Sequence, residues 1–169
     1  MKMADSARAS STTLAHAPVL VPVMAADFDD MVMLRIEALR ESLERLGRYD
    51  PTRARERLAD GFAPQHMHHI EVDGQRVGFV TLRPDDAAQM LSLRLNHLYV
   101  RPGAQGRRTG EWVLNWAKRQ ASAQGRDITL SVLKLSDANR FYLRHGFVQV
   151  SDSDFDIDYR WSCDSKGFT

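Results

Sequence analysis

The sequence predicts an α/β fold, in which about seven mostly antiparallel strands form a mixed sheet and about four helices cover it. Apolar residues recur at three- and four-residue steps in four segments, which is typical of amphipathic helices. In the remaining segments apolar and polar residues alternate, as they do in half-buried strands. One helical segment connects two strands over a length that predicts a parallel, right-handed crossover near the middle of the sheet.

Each element has its own signal. The long first helix carries Val32, Ile36 and Leu39 at steps of four and three. Asp73 and Gly74 separate two strand-like runs and predict a hairpin, because glycine tolerates the positive φ of a tight turn. In chain order the predicted elements are a strand at 19–24, helices at 26–46 and 54–62, strands at 66–72, 76–82 and 91–100, a helix at 106–123, a strand at 128–132, a helix at 138–145, and strands at 147–150 and 155–161.

The predicted strand at 91–100 contains an irregularity. Leucines occupy the odd positions from 91 to 95, whereas Leu98 and Val100 continue on even positions. Since the side chains of a strand alternate with period two, this change of face near Asn96 and His97 predicts a β-bulge that splays the strand from its neighbour. The backbone groups left unpaired could bind a ligand. The alternative is a strand that is buried on both faces.

Composition limits the possible partners. The chain has 169 residues, one cysteine, and 23 basic against 22 acidic residues. Its bulk charge therefore gives no reason to expect nucleic acid or a membrane surface as a partner. A single domain is expected at 18–162, between a flexible tail at 1–17 and a C-terminal tail at 163–169. The lone Cys163 excludes an internal disulfide and a cysteine metal cluster, which fits a reducing, cytoplasmic location.

The stretch at 98–112 predicts a phosphate site. A strand leads into an arginine-rich loop that carries Gly103, Gly106 and Gly110, and the loop leads directly into a helix. Glycines allow a tight turn and a close approach to a ligand, and the free N–H groups at the start of a helix attract anionic oxygens. A nucleotide site of the P-loop type is excluded because no Gly-Lys-Ser/Thr follows the loop.

Two motifs carry a family resemblance. The loop segment Gln105-Gly106-Arg107-Arg108-Thr109-Gly110 follows the pattern Arg/Gln-x-x-Gly-x-Gly/Ala at its first and last positions. The segment at 132–147, Val-Leu-Lys-Leu-Ser-Asp-Ala-Asn-Arg-Phe-Tyr-Leu-Arg-His-Gly-Phe, is close to Val-Leu-Lys-Val-Asn-Pro-Ala-Arg-Arg-Leu-Tyr-x-Arg-x-Gly-Phe. Over residues 19–161 the chain thereby resembles the GNAT (Gcn5-related N-acetyltransferase) superfamily.

The resemblance implies an acetyl-CoA-dependent N-acetyltransferase in which the amine attacks the thioester directly within a ternary complex. Acetyl-CoA is the co-substrate, and no metal is implied. Tyr142 falls on the tyrosine that in many members protonates the departing CoA thiolate, and packing in the core is the alternative role. The implied acetyl-CoA contacts are Leu98, Tyr99, Val100, Gln105, Gly106, Arg107, Arg108, Thr109, Gly110, Ser136 and Arg140.

The chain departs from the family pattern at two of these positions. Arg108 replaces the middle glycine of the loop, where its Cβ would crowd the backbone or its guanidinium would contact a phosphate instead. Ser136 replaces an asparagine that contacts the cofactor arm or the acceptor region, so that contact is shortened or lost. A CoA-binding module with little or no catalysis is therefore an alternative function.

The general base has two sets of candidates. His97 lies beside the predicted bulge, and an ordinary histidine has a suitable pKa, although a surface or packed histidine is the preferred interpretation. The rival is proton transfer through water to Glu37 or Glu41 of the first helix. The preferred interpretation of these two carboxylates and Glu44 is nevertheless a solvated helix face.

A metal site is not predicted, although three histidines occur close together. His66 and His68 share one strand face while His69 points the other way, and no carboxylate or cysteine completes a set of ligands. Cys163 follows the last strand without an evident base partner, so covalent catalysis is not expected.

No motif identifies the acceptor. A small-molecule amine is preferred because the chain is a single stand-alone domain, and a protein amine is the alternative. The resemblance also leaves a homodimer open, since dimers through sheet edges or helices are common in the family.

Overall fold

The computed structural model describes residues 17–85, 91–106 and 108–163. Within them the chain forms seven strands and four α-helices, and the predicted fold class and element order are confirmed. The elements are β1 (Val19–Pro22), α1 (Phe28–Arg45), α2 (Pro51–Asp60), β2 (Met67–Val72), β3 (Gln75–Pro84), β4 (Ser92–Val100), α3 (Thr109–Ala123), β5 (Asp127–Leu133), α4 (Ala138–Arg144), β6 (Val148–Asp152) and β7 (Asp156–Trp161).

The seven strands form one sheet in the order β1-β2-β3-β4-β5-β7-β6. Neighbouring strands are antiparallel, except that β4 and β5 are parallel and α3 is the crossover between them. Apolar residues from the sheet pack with α3 and α4 in one cluster, which includes Leu114 and Leu130. A second cluster, which includes Leu58 and Phe79, packs with α1 and α2.

The bulge predicted in β4 is present. Thr81 of β3 pairs with His97, and the next residue of β3 pairs with Leu95, so Asn96 is the extra residue. One apolar cluster contains Leu93 and Leu95, before the bulge, and also contacts Leu98 and Val100, after it. The predicted change of face is therefore confirmed. Leu91 differs from the prediction because it precedes β4 and is 72% exposed.

The first helix begins later than its periodicity predicts. Ala25–Asp27 form a 3₁₀ turn, and α1 starts at Phe28. The Asp27 carboxylate accepts hydrogen bonds from the backbone N–H of Met24 and from His69 Nε2 on β2, both at 2.8 Å. The hydrogen bond from His69 contributes most to lowering the pKa of Asp27 to about 2. This carboxylate thereby fixes the start of α1 to the sheet.

The second helix has a conventional polar start. Asp50 Oδ1 accepts hydrogen bonds from the N–H groups of Thr52 and Arg53 at 3.0 and 3.3 Å, and Pro51 occupies the first helical position. The helix ends at residue 60, before the predicted last turn. Phe62 therefore lies outside the helix, where its ring packs edge-on against Phe28 at a centroid distance of 5.1 Å.

The hairpin between β2 and β3 has a tight two-residue turn. Val72 pairs with Gln75, and the intervening Asp73 and Gly74 have φ values of 53° and 77°. Positive φ at both positions is the feature of a type I′ turn, whose twist matches that of the flanking strands. The predicted turn is therefore confirmed.

Other element ends differ from the prediction by a few residues. His66 lies in a short 3₁₀ turn before β2 rather than in the strand. Phe155 precedes β7 and is exposed, with the Arg48 guanidinium carbon 3.9 Å from its ring centroid. Of the predicted tails, residues 1–16 and 164–169 lie outside the described residues. Cys163 still packs against the core.

Candidate active site

A cleft opens where β4 and β5 separate. Their pairing covers only residues 92–94 against 127–129. Within the described strands, the edge of β4 that faces β5 has no ladder partner from Leu95 onward, which is the consequence expected of the bulge. The cleft has a volume of about 900 Å³, and α1, β4, the loop after β4, β5 and α4 line it.

The loop between β4 and α3 closes one end of this cleft. Gln105 Nε2 donates a hydrogen bond to the Val100 carbonyl at 2.8 Å, which ties the loop back to the strand. Gly106 has a φ of 80° and is not helical, although the sequence predicts that the helix begins there. The helix α3 begins instead at Thr109. Because the first-turn N–H groups of a helix and its dipole attract anions, the loop has the geometry of an anion site.

Arg108 adopts a backbone conformation that favours glycine. Its φ is 59°, in the left-handed region, at a cost of roughly 1–2 kcal/mol for a residue with a Cβ. The arginine nevertheless lines the cleft. The sequence predicts that the Cβ of Arg108 crowds the loop. In the structure the residue keeps its place at the cleft, and the cost of its Cβ is a strained backbone conformation. Arg107 lies outside the described residues.

The start of α4 forms a second wall beside the loop. A Cβ added at Gly110 would lie 3.4 Å from Phe141 Cζ, so this glycine allows α3 and α4 to approach closely. Ser136 lines the cleft, and its Oγ accepts a hydrogen bond from the Ala138 N–H at 3.1 Å. Arg140 is exposed and is not among the residues lining the cleft.

Asn139, which the motif comparison did not single out, holds the turn between β5 and α4. Its Nδ2 donates hydrogen bonds to the carbonyls of Leu133, Lys134 and Ser136 at 2.9, 3.3 and 2.8 Å. Its Oδ1 accepts a hydrogen bond from the Tyr159 hydroxyl at 2.7 Å. The available signal in the sequence was an amide at a position where the family pattern has arginine.

Tyr142 lies in the apolar core and also at the cleft. Its ring packs edge-on against Phe141 and Phe147, at centroid distances of 5.1 and 5.4 Å, and the residue is 7% exposed. It also lines the cleft. Burial raises the pKa of the Tyr142 phenol, so the hydroxyl is protonated at neutral pH and can donate a hydrogen bond to a ligand.

His97 is buried and does not line the cleft. Its Nδ1 and Thr81 Oγ1 form a hydrogen bond of 2.8 Å, and its ring contacts Phe79 and Tyr99 at centroid distances of 5.7 Å. Burial, assisted by the charge of Arg35, lowers the pKa of His97 to about 4. The imidazole is therefore neutral at pH 7, and its role as a general base stays a prediction.

Comparison with known proteins decides the family. The family model for the acetyltransferase (GNAT) domain matches residues 63–149, which include β4, the loop, β5 and α4. An aminoalkylphosphonate N-acetyltransferase from Salmonella typhimurium is 30% identical, over 73% of this chain and 80% of the relative. The chain belongs to the GNAT acetyltransferase family. It is an acetyl-CoA-dependent N-acetyltransferase, and the resemblance carried by its two motifs is confirmed.

Solved GNAT structures share the fold. PaiA N-acetyltransferase from Thermoplasma acidophilum, in complex with coenzyme A, has a TM-score of 0.69 at 14% identity, covering 86% of this chain and 99% of that chain. An acetyltransferase from Thermus thermophilus has a TM-score of 0.69 at 17% identity, covering 88% of this chain and 98% of that chain. At these identities the similarity concerns the fold alone.

The glutamates of α1 in this GNAT chain lie on an exposed face, and each pairs with an arginine. The pairs are Glu37 with Arg101 at 3.9 Å, Glu41 with Arg45, and Glu44 with Arg40 at 2.9 Å. Glu41 also lines the cleft, whereas the other two glutamates do not. Glu41 is therefore both exposed to solvent and part of the cleft wall, so the structure is consistent with either of the two roles expected for it.

The other residues considered for chemistry have structural partners. His68 packs edge-on against Trp116 of α3, while His69 bonds to Asp27 on the opposite face of the sheet. Among the described residues, no three histidine, cysteine or carboxylate side chains are grouped so that they could hold a metal ion. The Cys163 N–H donates to Asp127 Oδ1 at 3.0 Å. No helix in the described ranges is long and apolar enough to cross a membrane.

Two cleft-lining arginines, Arg35 of α1 and Arg57 of α2, were not predicted from the sequence. Arg35 follows Met31 by one turn and precedes Leu39 by one turn, so it interrupts the apolar stripe of α1. It is 8% exposed. A charged residue at helical spacing within an apolar stripe was the signal that could have identified it, because arginine is rarely buried without a reason.

Proposed function

We propose that this GNAT chain acetylates the primary amine of a small molecule, and that the amine attacks the acetyl-CoA thioester directly in a ternary complex. The observation that carries the proposal is the splay between β4 and β5, because a single cleft extends from the loop at α3 to α1 and α2. Two substrates can meet there without a covalent enzyme intermediate. Cys163 is the only cysteine, and it does not line the cleft.

The acceptor class is supported by the relative with 30% identity. That protein is an aminoalkylphosphonate N-acetyltransferase, so its printed name specifies a small amine. The similarity covers 73% of this chain, which is more than the matched GNAT domain alone. A small amine of this kind is therefore the acceptor proposed here, rather than a protein amine.

Acetyl-CoA would bind along the splayed edge of β4. The unpaired backbone groups there, in the segment that includes Leu98, Tyr99 and Val100, would bind the pantetheine arm and donate a hydrogen bond to the thioester carbonyl. Such a donor is effective because it is fixed in place before charge develops on the oxygen. The pyrophosphate would bind the loop through the backbone at Gly106, Thr109 and Gly110, with Arg108 adding positive charge.

Tyr142 is proposed to assist departure of the CoA thiolate. The hydroxyl is protonated at neutral pH, as an ordinary phenol is, burial raises its pKa further, and the residue lines the cleft. A phenol is a weaker acid than a thiol, whose ordinary pKa is about 8.5. Its main contribution is therefore a hydrogen bond that stabilises the negative charge developing on the sulfur.

Glu41 is proposed to accept the proton of the attacking amine through water. It lines the cleft, whereas His97 and Glu37 do not. Glu41 pairs with Arg45 one turn along α1, and its side chain is exposed to the solvent that would relay the proton. His97, which is buried beside Tyr99, is the competing candidate for the base.

Steady-state kinetics of the purified full chain test this function. Release of the CoA thiol is followed while acetyl-CoA and the amine are both varied, with 2-aminoethylphosphonate, other small amines and an unmodified peptide as acceptors. Direct attack predicts intersecting double-reciprocal lines, and Cys163→Ser is expected to behave like the parent chain. Parallel lines would contradict the ternary complex. Binding of acetyl-CoA without turnover of any amine would favour the non-catalytic module, and preference for the peptide would favour a protein N-acetyltransferase.

A further inference from the structure

Four arginines surround a small hollow that adjoins the cleft between α1 and α2. They form what we call the arginine cluster: Arg35 of α1, Arg48 of the connection after it, and Arg53 and Arg57 of α2. Arg35 and Arg57 line both the hollow and the cleft. The cluster therefore lies where α1 and α2 meet the cleft, whereas the loop for the CoA pyrophosphate lies at the start of α3.

The arginine cluster differs from the other arginines of the same helices. Arg40, Arg45 and Arg55 each pair with a carboxylate. Within the described residues, no salt bridge involves any member of the cluster. Asp50 lines the hollow, but its carboxylate already caps α2 by accepting the N–H groups of residues 52 and 53.

Arg35 is a buried arginine whose guanidinium forms no salt bridge with any described residue. It is 8% exposed, and its Nη1 donates to the Ala54 carbonyl at 3.3 Å. Its Nε is buried and has no hydrogen-bond partner. Its guanidinium carbon lies 5.9 Å from the ring centroid of Tyr99, a residue of the cleft wall. A buried charge of this kind is stable only when it is paired or hydrogen-bonded, and a carbonyl supplies only part of that requirement.

Arg57 experiences the positive potential of the whole cluster. Partial burial lowers its pKa, and the charges of Arg53, Arg48 and Arg35 lower it further. Asp156 opposes this effect and is the weakest of these influences. An anion bound between Arg35 and Arg57 would relieve this repulsion, and guanidinium groups bind oxyanions with paired N–H donors.

We propose that Arg35 and Arg57 bind an acidic group of the acceptor, so that the substrate is an amine that also carries a phosphonate, phosphate or carboxylate. This inference rests on the proposed acetyl transfer to a small amine and names its substrate class. Acetyl-CoA and the acceptor then bind through their negatively charged groups at two separate places in the cleft. The CoA pyrophosphate binds the loop at α3, and the acidic group of the acceptor binds at α1 and α2.

The test compares small primary amines that carry an acidic group with one that carries a neutral hydroxyl group. With saturating acetyl-CoA, kcat/KM is measured for 2-aminoethylphosphonate, β-alanine and ethanolamine with the full chain, Arg57→Gln, Arg35→Gln and the matched control Arg40→Gln. We expect the acidic amines to exceed ethanolamine by roughly 10- to 100-fold, the range for hydrogen bonds to charged groups. Arg57→Gln and Arg35→Gln should reduce this ratio about tenfold or more. Arg40→Gln, whose guanidinium pairs with Glu44 outside the cleft, should keep the parent ratio.

Several results would overturn the inference. Equal kcat/KM for ethanolamine and the acidic amines would show that no anion is recognised. An increase in the KM of acetyl-CoA on Arg57→Gln, with the acceptor ratio unchanged, would assign the cluster to a CoA phosphate. The relative rates of 2-aminoethylphosphonate and β-alanine distinguish a phosphorus acid from a carboxylate. Because Arg57 is on the exposed side of α2, its variant keeps the test valid where Arg35→Gln fails to fold.

Failure of the inference can be separated from failure of the proposed function. If no amine is turned over, the acetyl-transfer proposal fails, and calorimetry of the acetyl-CoA-saturated chain with 2-aminoethylphosphonate still tests the anion site. Binding that weakens about tenfold or more in Arg57→Gln, and not in Arg40→Gln, would support the site. Absence of binding would overturn it.

Discussion

The two ends of the cleft are proposed to bind negative charge by different means. At the loop after β4, the proposed donors are backbone N–H groups at the start of α3, and they follow Gly106 and Arg108, whose φ values are positive. At the arginine cluster, the donors are side chains from α1, α2 and their connection. A backbone site should tolerate new side chains when the backbone conformation is kept, which is the case proposed for Arg108. A side-chain site depends on the identity of each residue but not on a strained backbone.

The largest expected effect concerns the chemistry between these two ends. Tyr142→Phe removes the hydroxyl that would stabilise the departing thiolate while keeping the ring that packs against Phe147. We expect kcat to fall by about 100-fold or more, the usual range for loss of a catalytic acid, with little change in the KM of acetyl-CoA. Rapid-mixing or steady-state assays of CoA release provide the measurement.

Tyr159→Phe is the matched control for the Tyr142 variant. This second buried tyrosine donates a hydrogen bond to Asn139 and does not line the cleft. Its loss should lower the free energy of unfolding by about 1 kcal/mol and leave kcat within about twofold of the parent. An unchanged kcat in Tyr142→Phe would assign this residue to packing alone.

The second effect concerns His97, whose pKa is lowered by burial and by the charge of Arg35. Its pKa is about 4 in the folded chain and 6.5 ordinarily, so the unfolded chain binds more protons between these values. Stability is therefore lost as pH falls from 6.5 towards 4, by about 3 kcal/mol over the full window. His97→Gln should remove this pH dependence, which urea unfolding at pH 7.5, 5.5 and 4.5 would measure. His66→Gln, in the turn before β2, controls for the loss of an imidazole.

The same variant distinguishes the two candidate bases. If Glu41 accepts the proton through water, the acidic limb of the pH-rate profile persists in His97→Gln and disappears in Glu41→Gln. Loss of the limb in His97→Gln alone would restore His97 as the base, despite its position outside the cleft. The measurement is kcat at saturating acetyl-CoA and amine between pH 3.5 and 9, a range that includes the pKa of about 4 of His97.

The comparison also explains how much could be predicted from the sequence. The bulge at Asn96 was predicted because a change of alternation is local and one face of β4 must stay in the core. The loop was predicted because its glycines and the following helix are contiguous. Arg35 and Arg57 were missed because they are 22 positions apart and meet only after α1 and α2 pack. The burial of His97 was also missed, because its neighbours Phe79 and Tyr99 and its partner Thr81 meet it only once β3 and β4 pair.

The smallest effect concerns the left-handed Arg108 of the loop. Arg108→Gly relieves a strain of roughly 1–2 kcal/mol, of which part is offset by the greater freedom of glycine in the unfolded chain. We expect a net gain of about 1 kcal/mol, measured as a rise in Tm of roughly 2–4 °C for a chain of this size.

Arg108→Ala separates backbone strain from charge, because alanine keeps the strained φ of 59° and also lacks the guanidinium. If Arg108 contacts a phosphate, both variants should raise the KM of acetyl-CoA by a similar factor, of about 3- to 10-fold, while only the glycine variant gains stability. A KM that rises in the alanine variant and not in the glycine variant would show that loop conformation, and not the arginine charge, controls acetyl-CoA binding. That outcome would make the α3 end a purely backbone site and would sharpen its contrast with the arginine cluster.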